Sequence, residues 1–151
     1  ILKRFNEKSN MSQLEFSDFF MLSTSYICVT KRFVRKMIYQ LCNLPVIDFS
    51  VDYIKLAIES WEWIFTSCKY HQISLLSAIC SAWESTRYKN VGIFDFDPQP
   101  NSDTKIRIAN SQVHDLWIIF LLDRFNIVKF YSPPQVKILA QTIGQNLKII
   151  L

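Results

Sequence analysis

The chain has 151 residues, half of them apolar, and carries a mild formal net charge of +4. This length suffices for one domain with a hydrophobic core, and a pI near 8.9 does not suggest a nucleic-acid partner. The chain contains only two glycines, which argues against a glycine-rich phosphate loop and against a sheet protein with many tight turns.

No stretch of the sequence predicts a membrane span. The longest apolar run, LWIIFLL at 116–122, is far shorter than the roughly 20 residues that cross a bilayer. The chain begins with ILKRFN instead of methionine and ends in the apolar run LKIIL. We therefore expect residues 1–151 to be one α-helical segment of a longer chain.

Apolar residues at spacings of three and four predict five helical stretches, and the first covers about 14–42 as one helix or two. Pro45 is expected to end this stretch, because proline has no N–H for the helical hydrogen-bond ladder. The stretch contains four clustered basic residues: Lys31, Arg32, Arg35 and Lys36. Their spacing predicts one side of a helix, which is either a solvated face or a face for anionic lipid or an acidic partner.

The second helix is predicted to begin after Ser50, a favourable N-cap, with Asp52 in its first turn. Its apolar stripe consists of Ile54, Ala57, Ile58, Trp61, Phe65 and Cys68. Trp63 lies two residues beyond Trp61, a rotation of about 200°, so the two indoles point to nearly opposite sides. We expect this helix to lie between neighbours that cover both tryptophans.

Three further elements complete the chain. The third helix is predicted over 71–88, and its apolar stripe is Leu75, Leu76, Ile79, Cys80 and Trp83. Turn-forming residues predict a variable loop over 95–108. The fourth helix is predicted over 111–130, and its in-phase residues are Val113, Leu116, Trp117, Phe120, Leu121, Arg124 and Val128. The fifth should start with Ser132 as cap and Pro133 at the first position, followed by the stripe Val136, Leu139, Ala140, Ile143 and Leu147.

These elements predict an all-α fold. Burying one tryptophan removes about 150–250 Å² from water, worth about 4–6 kcal/mol before opposing terms, so indoles without packing partners are not expected. Short connections and a helix covered on two sides favour an irregular α-solenoid of stacked antiparallel helices, like a HEAT or armadillo array, over a closed bundle.

The cysteines and histidines do not form a metal-binding pattern. No cysteine pair has the spacing C-x-x-C, and His71 and His114 do not lie at zinc-ligand spacing beside any cysteine. Because the four cysteines lie in apolar helical stretches, we expect reduced thiols in the core of a cytosolic protein. Both histidines are expected at helix ends or on the surface.

Two short runs resemble kinase motifs, but each lacks an essential residue. LLDRFN supplies the Asp123 and Arg124 of the lipid-kinase loop Asp-Arg-His-x-x-Asn, yet Phe125 replaces its histidine and Val128 its magnesium-binding asparagine. FDFD has Asp97 where the kinase Asp-Phe-Gly motif has glycine, so its acids are expected to face water in a loop. We expect no catalytic, cofactor-binding or metal-binding residue in this chain.

Three runs in chain order resemble one family: AIESWEWIF, then SAWESTRYKNVGIF, then LWIIFLLDRFNIVKFYSPPQVKIL. They are similar to the helical region that precedes the catalytic domain in the type III alpha phosphatidylinositol 4-kinase family. The matching residues are Trp61, Trp63, Trp83, Gly92, Phe94, Trp117, Phe120, Arg124 and Phe125. The resemblance covers about 41–147, whereas the first forty residues match only loosely.

The resemblance implies a large cytosolic parent enzyme that transfers the γ-phosphate of ATP to the 4-hydroxyl of phosphatidylinositol, with magnesium, at the plasma membrane. It implies that this segment is a non-catalytic scaffold, in contact with the rest of the kinase chain and with adaptor proteins that recruit the enzyme to the membrane. It leaves a homodimer open and implies no nucleic-acid partner.

Under this interpretation six aromatic residues serve packing: Trp61, Trp63, Trp83, Trp117, Phe120 and Phe125. The alternative from a different functional class is a free-standing helical adaptor that binds peptides or partner helices.

Overall fold

The computed structural model describes residues 13–32, 34–94 and 104–150. It contains the α-helices α1 Gln13–Thr30, α2 Arg35–Ile47, α3 Val51–Ser67, α4 Gln72–Tyr88, α5 Thr104–Val128 and α6 Pro133–Ile150. Two short 3-10 turns, Lys69–His71 and Gly92–Phe94, lie between helices. No strand occurs in these described ranges, which confirms the all-α prediction.

The helices form two layers. In one layer α1 packs on α3 and α3 on α5, and in the other α2 packs on α4 and α4 on α6. Consecutive helices also contact each other across the layers, as in α2 with α3 and α5 with α6. Stacking of each helix on the helix two places along the chain is the solenoid arrangement, so the predicted α-solenoid class is confirmed.

Local signals set several helix ends as predicted. The Ser50 hydroxyl accepts a hydrogen bond from the backbone N–H of Tyr53 at 3.4 Å, which caps α3, and Asp52 lies in the first turn. Pro133 opens α6, where its missing N–H costs nothing. The Ser132 carbonyl accepts the first helical bond, from Val136 N–H at 3.1 Å.

Two predicted boundaries are wrong, and the first stretch, predicted as one helix or two, is two. Pro45 lies inside α2, which continues to Ile47, because a proline in the last turn removes only one hydrogen bond from the helix. The first stretch is two helices, and Lys31, with a φ of 53°, follows the end of α1 in the left-handed conformation common at helix ends. The fourth helix begins at Thr104, so residues 104–108 are helical and the rest of the predicted loop lies outside the described residues.

The stripe of α6 also differs from the prediction, because its contact with α4 is partly polar. Ala140 is exposed, whereas Gln135 and Thr142 are buried beside Leu139. The Gln135 side-chain amide donates to the Gln72 side-chain carbonyl at 3.2 Å. A pattern of apolar residues alone cannot reveal a helix face that packs through side-chain hydrogen bonds.

Candidate functional site

The centre of the stack is a continuous row of aromatic rings from α3, α4 and α5. Trp61 packs against Trp117 with ring centroids 5.5 Å apart and against Phe120 at 5.4 Å. Trp83 meets the other side of Trp117 edge-on at 5.7 Å. Offset and edge-on pairs of this kind contribute about 0.5–1.5 kcal/mol each beyond the area they bury. The predicted packing role of these four residues agrees with this geometry.

His114 is fully buried at one end of this row, so its predicted surface position is wrong. Its imidazole meets Trp83 edge-on at 4.8 Å and Phe94 edge-on at 5.4 Å. Burial lowers the pKa of His114 to about 4, so the ring is neutral at pH 7. The sequence signal was available: His114 lies three and seven positions before Trp117 and Leu121, in phase with the buried face of α5.

The hydrogen bonds of His114 assign one tautomer. The backbone N–H of Ile93 donates to Nδ1 at 3.3 Å, so Nδ1 carries no proton. Nε2–H therefore donates to the Thr86 hydroxyl at 3.0 Å, and that hydroxyl donates onward to the Trp83 carbonyl at 2.7 Å. This chain of bonds ties the connection after α4 to the middle of α5.

Gly92 also helps to enclose the His114 ring. Its φ of 65° is strained for any residue with a Cβ, and a Cβ there would overlap the His114 ring and approach the Phe49 ring to 2.8 Å. The spacing of Trp83, Gly92 and Phe94 thus has a common physical cause, which is the enclosure of one neutral imidazole. We call the turns at 48–50 and 89–94, which surround it, the closed edge of the stack.

Arg124 is also buried, and its surroundings explain the LLDRFN run. The guanidinium lies 3.8 Å above the centroid of the Phe65 ring, and its Nη1 is 3.8 Å from a carboxylate oxygen of Glu62. Burial lowers the pKa of Arg124, while Glu62 and Tyr131 oppose that shift. The whole run lies inside α5, as predicted, and its arginine joins α3 to α5.

The turns 31–34, 68–71 and 129–132 lie at the opposite ends of the helices. We call these three turns, together with the first turns of α2, α4 and α6, the open edge. The first two turns are joined by His71, whose Nε2 lies 2.8 Å from the Lys31 carbonyl oxygen. His71 lies at a helix end, as predicted. A cleft at these two turns is lined in part by Lys31, Lys69 and Tyr70.

A comparison with protein families connects this architecture to known proteins. The family model described as the PI4-kinase N-terminal region matches residues 20–150. The chain belongs to this family. The match includes most of α1 and the beginning of α2, where the resemblance seen in the sequence was loose. No solved structure was found to match the chain.

In this PI4-kinase N-terminal region one of the matched tryptophans does not pack as predicted. Trp63 is 61% exposed, so the prediction that both Trp61 and Trp63 are covered is wrong. In a two-layer stack, α3 has neighbours along its own layer and in the second layer, but its remaining side faces solvent. Trp63 points to that side. Phe125 is half-buried and packs against the core.

The basic cluster is exposed but is not the side of one helix. Lys31 and Arg32 lie in the turn after α1, whereas Arg35 and Lys36 open α2. The predicted helical alignment is therefore wrong, because the break between the two helices falls inside the cluster. All four side chains lie at the open edge, and a role toward lipid or an acidic partner stays a prediction.

The four cysteines are free thiols, as predicted, and three are buried: Cys42, Cys68 and Cys80. Burial raises the pKa of the Cys80 thiol to about 11, and burial followed by Cys28 raises the pKa of the Cys68 thiol. Both thiols are protonated at pH 7. No cluster of three metal-ligating side chains is found within the described ranges, and no described helix is long and apolar enough to span a bilayer.

Proposed function

We propose that this chain is a non-catalytic helical scaffold of a phosphatidylinositol 4-kinase. In this proposal the parent chain transfers the γ-phosphate of ATP to the 4-hydroxyl of phosphatidylinositol, using magnesium in a separate kinase domain. The family match over residues 20–150, which the two-layer stack fills from α1 to α6, carries the proposal. The parent enzyme is proposed to be cytoplasmic and peripheral at the plasma membrane.

The local geometry supports a non-catalytic role. The run that resembles a lipid-kinase loop is the interior of α5, and its arginine is buried against Phe65. A catalytic loop must present its acidic and cationic groups to a nucleotide and its metal. Arg124 instead bridges two neighbouring helices, so it contributes to the rigidity of the stack.

The outer side of α1 supports a role in assembly. It exposes apolar side chains on the side that faces away from the core: Leu14, Met21, Leu22 and Val29. A solenoid needs a polar outer face on a terminal repeat to remain soluble, and this face is not polar. We propose that it packs against a further helix pair of the kinase chain, with adaptor proteins and a second copy as the other candidates.

A kinase assay and an association assay test the proposal. The isolated chain should show no ATP-dependent phosphorylation of phosphatidylinositol, and such activity would overturn the non-catalytic role. The variant Leu22→Glu with Val29→Glu should weaken association with the remainder of the parent kinase at least about tenfold, the effect of about 1.4 kcal/mol. Tyr88→Glu, an exposed residue at the closed edge, is the matched control and should have no effect.

The exposed indole of Trp63 favours the second candidate, a free-standing helical adaptor, because exposed tryptophans are common anchors in protein interfaces. Analytical ultracentrifugation separates the two. Concentration-dependent self-association that Leu22→Glu with Val29→Glu abolishes supports the assembled scaffold. A stable monomer whose binding to a partner depends on Trp63 supports the adaptor.

A further inference from the structure

The open edge combines positive charge with exposed aromatic side chains. Its exposed basic residues are Lys31, Arg32, Arg35, Lys36, Lys69 and Lys129. No aspartate or glutamate occurs in the sequence of its three turns, 31–34, 68–71 and 129–132. Of the acids on the preceding helical turns, Glu62 is already engaged by Arg124, which leaves Asp123 as an exposed acid near the third turn. The edge is therefore strongly positive.

Aromatic side chains project from two of these turns. Tyr70 is 98% exposed and Phe130 is 88% exposed, and Tyr131 beside it is also largely exposed. The ammonium of Lys129 lies 5.1 Å from the centroid of the Phe130 ring. The basic and aromatic groups thus share the same short segments of chain, and burial in the core does not explain rings that are so fully exposed.

Hydrogen bonds and ring contacts hold the turns as one platform. His71 binds the Lys31 carbonyl and so joins the first turn to the second. The Gln72–Gln135 bond joins the beginnings of α4 and α6, and Arg124 joins the ends of α3 and α5 through Phe65. With about 10 Å between packed helices, the three turns span about 20 Å. The basic and aromatic side chains of the three turns are therefore held at fixed positions relative to one another.

We infer that the open edge binds the surface of an anionic membrane, with the lysines and arginines on lipid phosphates and with Tyr70 and Phe130 inserted at the level of the head groups. Clusters of four to eight basic residues are attracted to anionic leaflets, and aromatic rings favour the bilayer interface. Interfacial binding strengthens with both the apolar area buried and the attraction to anionic lipids, and this edge offers both contributions. This binding is a property of the chain itself and goes beyond its proposed scaffold role.

The shape of the edge favours a membrane over an acidic peptide. Peptide-binding aromatic residues lie in packed pockets at the centre of an interface. Tyr70 borders the cleft beside Lys31, but its ring is 98% exposed, and the ring of Phe130 projects from a separate turn. Neither ring lies in a packed pocket, which suits a broad surface.

Vesicle flotation with the 151-residue chain tests the inference. We expect binding to vesicles of phosphatidylcholine with phosphatidylserine, little binding to phosphatidylcholine alone, and loss of binding between about 0.1 M and about 1 M salt, where screening shortens from about 10 to about 3 Å. The variant Lys31→Glu, Arg35→Glu, Lys69→Glu should weaken binding about a hundredfold. Tyr70→Ser with Phe130→Ser should weaken it about tenfold and leave a salt-sensitive remainder.

The closed edge supplies matched controls. Lys55→Glu, Arg87→Glu, Lys89→Glu reverses the same number of exposed charges at the other end of the helices, and Tyr88→Ser removes an aromatic side chain that is 82% exposed. Both controls should change vesicle binding less than about threefold, a difference of under about 1 kcal/mol. Melting temperatures within about 4 °C of that of the parent protein for all four variants would show that folding is intact.

Three results would overturn the inference: no binding to either vesicle, equal binding to both vesicles, or equal losses in the open-edge and closed-edge variants. A soluble glutamate-rich peptide that binds the chain as tightly as the anionic vesicles, and through the same residues, would assign the edge to an acidic protein partner instead. None of these results depends on kinase activity, so they do not bear on the proposed scaffold role.

Discussion

The closed and open edges are both built from connections between consecutive helices, yet their aromatic residues lie in opposite environments. At the closed edge Phe94 is fully buried and turns inward onto His114, helped by the left-handed Gly92. At the open edge Tyr70 and Phe130 project into solvent among lysines. An aromatic side chain in a turn stabilises the fold when it packs against a buried partner, whereas one that projects into solvent is available for binding.

Replacing Trp83 should produce the largest loss of stability. Trp83 contacts His114 and Trp117 and is almost fully buried, so Trp83→Ala should reduce the free energy of unfolding by about 4 kcal/mol. Trp63→Ala removes the same side chain from an exposed site near the open edge, and it should cost under about 1 kcal/mol. Urea unfolding of both variants makes the comparison, and equal losses would show that the two sites are not different in kind.

Adding one methyl group at Gly92 should lower the free energy of unfolding nearly as much as Trp83→Ala does. Gly92→Ala places a Cβ into the His114 ring at a positive φ, and we expect a loss of about 3 kcal/mol from the clash and the backbone strain. Gly144 in α6 is the matched control, because a Cβ there meets nothing within 4 Å. Gly144→Ala should stabilise the protein by about 0.5–1 kcal/mol. A neutral Gly92→Ala would contradict the structural account of the closed edge.

The sequence predicts the architecture well, because helix stripes and capping residues are local signals. Ser50 and Pro133 start helices as expected, and the stripes of α3, α4 and α5 form the core. The prediction that Trp63 is covered was wrong. Periodicity shows that the two indoles point apart, but it does not show whether a neighbouring helix covers the second one. That information lies in the contacts of distant segments.

The predicted surface position of His114 was wrong for a related reason. A histidine is interpreted as a surface residue by default, although its phase on α5 places it on the buried side. Its enclosure depends on Thr86, Ile93 and Phe94, which lie far away along the chain. The open edge could not be recognised from the sequence either, because only the stacking of helices brings Lys31, Lys69 and Lys129 to one end of the molecule.

Acid should weaken the closed edge through His114. The pKa of this imidazole falls from 6.5 to about 4 on folding, so between these values the unfolded chain binds more protons than the folded one. The contribution of the neutral imidazole to the free energy of unfolding is complete above about pH 6.5 and is lost as the pH falls toward 4. The loss amounts to up to about 3 kcal/mol.

Unfolding free energies measured from pH 7 to pH 4 test this dependence. His114→Gln should be less stable than the parent protein at pH 7 and should show a flatter pH profile. A profile for His114→Gln as steep as that of the parent protein would assign the acid sensitivity to other groups.

The smallest effect on stability should come from the open edge. Tyr70→Ser with Phe130→Ser removes rings that are almost wholly in water and, with them, the cation–π pair in which Lys129 lies 5.1 Å from the Phe130 ring. An exposed pair of this kind is worth about 0.5–1 kcal/mol, so the free energy of unfolding should fall by no more than that. The same double variant should bind anionic vesicles about tenfold more weakly, whereas Gly92→Ala, measured at a temperature where it remains folded, should bind them as the parent protein does. A double variant that unfolds as readily as Gly92→Ala would mean that the turns of the open edge stabilise the fold, and their exposed rings would then no longer indicate a binding surface.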